Sequence, residues 1–183
     1  MTFEIIIIKK TPIPYSISNS AGHCLRLEIK DGRVYLFKPR WVSKVRAQKF
    51  LESKSAWLER NLAKERKQIP LYPLAKTELP MFKKEIISRL NYFNQGYNFN
   101  WQRVSIRHQT TRWGSCSPKG TLSFNSRLAN LPLELQDYII VHELCHLKVP
   151  NHSPKFWKLV EKTLPDYLIR RRALRRYRLA VLF

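Results

Sequence analysis

Apolar residues along the chain fall into three patterns, each predicting a different element. Phe3 to Lys9 carries a short apolar run and reads as a strand, and Leu25-Arg26-Leu27-Glu28-Ile29 alternates apolar with polar, the period of a half-buried strand. Asp31-Gly32 and then Val34 to Phe37 follow, which together predict a β-hairpin. From Ser43 to about Lys67 the spacing becomes helical, with Val45, Phe50, Leu51, Trp57, Leu58 and Leu62 set among lysines and arginines. Gln68 to Ala75 holds two prolines and is expected to connect two parts. Leu79, Phe82, Ile86, Leu90 and Phe93 then mark an amphipathic helix that stops near Gly96. Val104 to Arg107 and Thr121 to Asn125 are expected to form a hairpin, joined by a Trp113-Gly114 loop and a Ser117-Pro118-Lys119-Gly120 turn.

The third pattern is a stretch that is apolar on nearly every face. Leu135, Tyr138, Ile139, Ile140, Val141, Leu144, Cys145 and Leu147 predict a buried helix. His142, Glu143 and His146 lie within it as His-Glu-x-x-His, and buried polar groups need partners. Residues four apart on a helix share a face, about 6 Å apart along the axis. Two imidazoles so placed converge on one cation, and Glu143, about 100° round from His142, reaches a water held there. Cys145 lies off that face and reads as a small core side chain.

A third ligand requires the helix to end. Were it to continue, His152 would sit roughly 240° round from His146. Val149-Pro150 stops it, because the residue before proline avoids α geometry and proline lacks the donor. Ser153-Pro154 reads as an N-cap with proline at the first helical position, opening a helix held by Phe156, Trp157, Val160 and Leu164. His152 therefore stands at the mouth of a new helix, with Glu161 and Asp166 as rival ligands ranked below it. Three neutral imidazoles leave the fourth tetrahedral position for water, as in catalytic zinc sites, although other divalent ions favour similar nitrogens. The reaction this suits is peptide hydrolysis by a metal-activated water, with Glu143 as general base and Zn2+ as cofactor.

Several motifs in order carry a family resemblance. Arg112-Trp113-Gly114-Ser115-Cys116-Ser117, Gly120-Thr121-Leu122-Ser123-Phe124-Asn125, Asp137-Tyr138, Val141 to His146 and Asn151-His152-Ser153-Pro154-Lys155-Phe156-Trp157 closely resemble YgjP-like metallopeptidases, zincin relatives similar to SprT-type proteins. The likeness is strong over residues 107–172 and weaker upstream, at Gly32-Arg33-Val34 and a helical stretch ending near Trp57. It implies an α+β fold: a zincin-like domain over residues 71–183, behind a β-rich extension with a basic helix over 1–70. It also implies zinc on His142, His146 and His152, with Glu143 as catalytic base. By the same resemblance, the strand beside the active site pairs with extended peptide. Arg112 and Trp113 then shape the pocket or steady charge on the substrate oxygen, against the plainer reading of a surface charge and a core ring. His108 reads as a strand-end histidine. The histidine spacing equals that of metzincins, but Val149 replaces their glycine and no methionine follows the motif.

Charge adds a second signal. Lysine and arginine number 34 against 13 acidic residues in 183, a net of +21. Arg170, Arg171, Arg172, Arg175, Arg176 and Arg178 share a helical pattern with Ile169, Ala173, Tyr177 and Val181, predicting a basic amphipathic helix. Such an excess suits polyanions, so nucleic acid joins a protein or peptide substrate as an expected partner. The competing class is a nucleic-acid-binding protein whose three histidines hold a structural zinc. No base-reading motif accompanies the charge. Cys24, Cys116 and Cys145 are odd in number and lack C-x-x-C spacing, which suits a reducing compartment. Ile5 to Ile8 is too short for a signal-peptide core and no stretch approaches a membrane span, so a cytoplasmic protein is expected.

Overall fold

The computed structural model describes residues 3–8 and 11–179, in two compact units, Met1–Ile69 and Pro70–Phe183. In the first unit, strands β1 (Glu4–Ile8), β2 (Thr11–Ser20), β3 (Arg26–Lys30) and β4 (Arg33–Pro39) form a sheet in the order β1-β2-β4-β3. β3 and β4 are the expected hairpin, closed by Lys30 opposite Arg33. Asp31 and Gly32 both take positive φ, as a two-residue turn between twisted strands requires. Glu65 accepts both of their amides, at 2.9 and 3.0 Å. The single helix expected over Ser43 to Lys67 is two, α1 (Lys44–Ser53) and α2 (Ser55–Arg66). Ser53 Oγ donates to the Phe50 carbonyl at 2.7 Å, the local hydroxyl bonding that competes with a helix ladder. Alternation on β4 sends Val34 and Leu36 inward to meet Leu51, Leu58 and Leu62.

The second unit is built round one buried helix. Its elements are β5 (Ile69–Leu71), α3 (Leu79–Asn94), β6 (Arg103–Arg107), β7 (Gly114–Cys116), β8 (Thr121–Asn125), α4 (Leu133–His146), α5 (Pro154–Thr163), α6 (Tyr167–Leu174) and β9 (Tyr177–Leu179). α3 buries Phe82, Ile86 and Leu90, one residue per turn, and packs on α4. α4 also meets α5, α6 and β7, so nine of its fourteen residues are buried.

Two expectations need correcting here. β6 and β8 are not a hairpin: they run parallel, and β8 pairs antiparallel with the short β7, giving the order β6-β8-β7. β7 is thus an edge strand, and it packs against α4. The basic helix expected to reach Val181 ends at Leu174, and Tyr177 lies in β9, which pairs with β5. Val181 lies outside the described residues. No helix among the described residues is long and apolar enough to cross a membrane.

Candidate active site

α4 sets His142 and His146 one turn apart, with Nε2 atoms 3.2 Å from each other. Its hydrogen-bond ladder runs on to Val149, whose amide donates to the Cys145 carbonyl at 3.0 Å, and stops at Pro150. The chain turns, and Ser153-Pro154 starts α5. In that turn His152 is brought back so that its Nε2 lies 3.0 Å from His142 Nε2. The three candidate ligand nitrogens all lie within 4.8 Å of one another. Glu161 and Asp166 are not among them, and Asp166 instead accepts from Arg170 Nε at 2.9 Å.

These nitrogens fit a metal ion in chemistry as well as distance. His146 Nδ1 lies 3.0 Å from the Val149 carbonyl, which can only accept, so that nitrogen carries the hydrogen and Nε2 presents a lone pair. An outer hydrogen bond of this kind fixes the tautomer that ligates. Two nitrogens bound tetrahedrally at zinc distances stand roughly 3.4 Å apart, close to both observed separations. Burial, with its histidine neighbours, pushes His142 down to about 3, and burial also lowers His146, so both rings stay neutral near pH 7. Buried His142 Nδ1 has no hydrogen-bond partner among the described residues.

Phe156 forms the floor beneath this cluster. Its ring, fully buried, lies 4.8, 4.4 and 4.9 Å from those of His142, His146 and His152. Trp157 stacks on the exposed His152 at 5.5 Å, and Arg171 of α6 covers Trp157. The helical spacing of the sequence assigns Phe156 and Trp157 to packing alone; their position four and five residues after His152 is the signal that ties them to the site.

Glu143 is 6% exposed, and burial raises its carboxyl to about 8, opposed by the positive charge of Arg112. It lies against β7. A Cβ built on Gly114 would come within 2.7 Å of the Glu143 side chain, so any larger residue there must displace Glu143. Asn125 is a site residue that spacing and composition did not single out. Its amide donates to the carbonyls of Gln109 and Arg112 at 2.6 and 2.9 Å, holding the loop that carries Arg112 and Trp113. Arg112 lines the groove beside Glu143, whereas Trp113 is half-buried against the core. His108 lies away from the cluster, its Nδ1 2.7 Å from Ser126 Oγ. Cys145 is buried, within 3.5 Å of the Tyr97 hydroxyl.

A groove of about 980 Å³ runs between the two sides of this site. One wall carries the three histidines and Glu143; the other is β7 and the turn after it. The model of the YgjP-like metallopeptidase domain matches residues 80–177, the stretch that contains every one of these groups. This chain belongs to that family. Among solved structures, the metallopeptidase zymogen abylysin of Pyrococcus abyssi is similar to it at 29% identity and a TM-score of 0.47, over 52% of this chain and 99% of that one. No curated protein matches it. The YgjP-like domain thus lies wholly within the second unit, and the first unit contributes no residue to the match.

Proposed function

We propose that this chain is a zinc-dependent peptidase, with His142, His146 and His152 as the metal ligands and Glu143 as general base. The observation that carries this reading is the convergence of three imidazole nitrogens beside a buried carboxylate, on the wall of an open groove. Zinc bound there would lower the pKa of water towards about 7 and polarise a peptide carbonyl. Glu143 takes the proton of the attacking water and delivers it to the leaving amine. Burial raises its carboxyl and the positive charge of Arg112 opposes that rise, as a cation held by the three histidines would, favouring the ionised form that accepts a proton. The free edge of β7 offers backbone groups to an extended peptide, which holds the scissile bond in register. Arg112, on the groove wall, steadies charge developing on the substrate oxygen. A purely structural zinc would give Glu143 nothing to do.

Removing the metal tests the reading directly. Dialysis against a chelator should abolish cleavage of a casein or mixed-peptide substrate, and one equivalent of zinc should restore it. Cleavage that survives complete metal removal would rule the reading out. A second expectation concerns Gly114. Gly114→Ala should retain stoichiometric zinc but lower kcat roughly ten- to a hundredfold, because the new methyl displaces the Glu143 carboxylate. Unchanged kcat would show that Glu143 need not stand where it does.

A further inference from the structure

The β-sheet of the first unit ends in an open corner. β2 and β4 run parallel with Ser20 opposite Pro39, so the loops that follow them leave the same end of the sheet. After β4 the chain makes a tight turn. The Val42 amide donates to the Pro39 carbonyl at 3.1 Å, and Lys38 Nζ donates to the Val42 carbonyl at 2.8 Å. Pro39 and Val42 are buried, which anchors the turn at both ends and leaves its two central residues, Arg40 and Trp41, facing solvent. Trp41 is 69% exposed, and its indole meets no other ring and no cation among the described residues. Arg40 is exposed too, and its guanidinium has no hydrogen-bond or ion-pair partner among them. With Asn19, Ser20, Gly22 and His23, from the end of β2 and the loop after it, these two residues line a cavity of about 340 Å³. About 150 Å³ accommodates benzene, so a nucleobase fits with room beside it.

We propose that this corner binds single-stranded nucleic acid, with an unpaired base stacked on Trp41 and the adjoining phosphate held by Arg40. Charge sets the sign of the partner. Residues 1–69 carry fifteen lysines and arginines against six acidic residues, and no carboxylate among the described residues lines the cavity. Arg46 and Lys49 follow on α1, both exposed and both without a side-chain partner among the described residues, whereas Lys44 is committed to Glu4. The indole then selects the kind of polyanion. An acidic peptide satisfies the charge alone, while a nucleotide chain supplies a flat ring beside every phosphate. In a duplex each base face is covered by its neighbours; an unpaired base offers that face to an aromatic side chain, whatever the sequence. Stacking of this kind suits a chain that has the charge but no base-reading motif. The corner shares no residue with the groove or the three histidines and lies outside residues 80–177, so it stands apart from the proposed hydrolysis.

The test titrates the full chain into labelled oligodeoxythymidine and oligouridine, each of about twelve nucleotides, and reads fluorescence anisotropy at several salt concentrations. At least one strand should bind, with affinity falling as salt rises, and a preference for either identifies the strand within the proposal. Trp41→Ala should weaken binding about tenfold or more with the salt dependence unchanged, and Trp41→Phe should recover most of the loss. Arg40→Gln should instead flatten the slope of log affinity against log salt by about 0.7, the share of one phosphate contact. Thermal melting checks that each variant folds as the parent does. Parent-like binding by Trp41→Ala would overturn the proposal, as would a salt slope that Arg40→Gln leaves unchanged. Duplex DNA held as tightly as the single strand would overturn it too, and so would polyglutamate that displaces the strand at equal charge. No binding of either strand at low salt would end it outright. Cleavage enters none of these measurements, so their outcome is separate from that of the peptidase reading.

Discussion

Glu143→Gln is expected to cut peptide hydrolysis about 10²- to 10⁴-fold while zinc remains at one per chain. Glutamine keeps the shape and hydrogen-bonding reach of the side chain but cannot accept a proton. The loss should therefore fall on kcat, with little change in KM, since Glu143 is given no share in holding the peptide. Folding should survive, because the substitution removes a buried group that is costly when charged and puts a neutral one in its place. Steady-state kinetics and metal content measured on one preparation decide the matter. Parent-like turnover in the variant would remove Glu143 from the role of general base.

His152→Ala has the second large effect. Outer-sphere partners of a metal ligand are worth about 10- to 100-fold in affinity, so removal of the ligand itself should weaken zinc binding by about 100-fold or more. His152 is exposed, and its protein contacts are the rings of His142, His146, Phe156 and Trp157. The metal-free variant should accordingly unfold within about 1 kcal/mol of the parent. Competition with a chromophoric chelator gives the affinity, and urea denaturation gives the stability. Undiminished affinity would hand the third position to another residue. Asp166 is poorly placed for it, being committed to Arg170.

The site was more legible in the sequence than the sheet that faces it. Helix α4 announces itself because it is buried all round, so apolar residues recur at every helical offset and the few polar ones stand out as chemistry. Pro150 dictates the turn that returns His152. β7 could not be foreseen in the same way: Gly-Ser-Cys is three residues with no alternation, and without it β6 and β8 look like consecutive arms of a hairpin. Only pairing across the sheet shows them to be parallel. β2 was hidden for another reason. Pro12 and Pro14 argue against an interior strand, yet β2 pairs only with β1 over Thr11–Pro14 and meets β4 from Tyr15 onward. The prolines therefore occupy a stretch with one neighbour, where a missing donor is tolerated. The break at Lys54 is accompanied by a Ser53 hydroxyl-to-carbonyl bond that no periodicity records. Asn125 and Gly114 act through loop carbonyls and through the space beside Glu143, neither of which spacing can encode.

Zinc K-edge X-ray absorption on the full chain loaded with one equivalent of metal bears most directly on the central claim. Three histidine nitrogens and one further light atom at about 2.0–2.1 Å, with imidazole outer-shell scattering, are predicted. A sulfur shell near 2.3 Å, or scattering from fewer than three imidazoles, would contradict it.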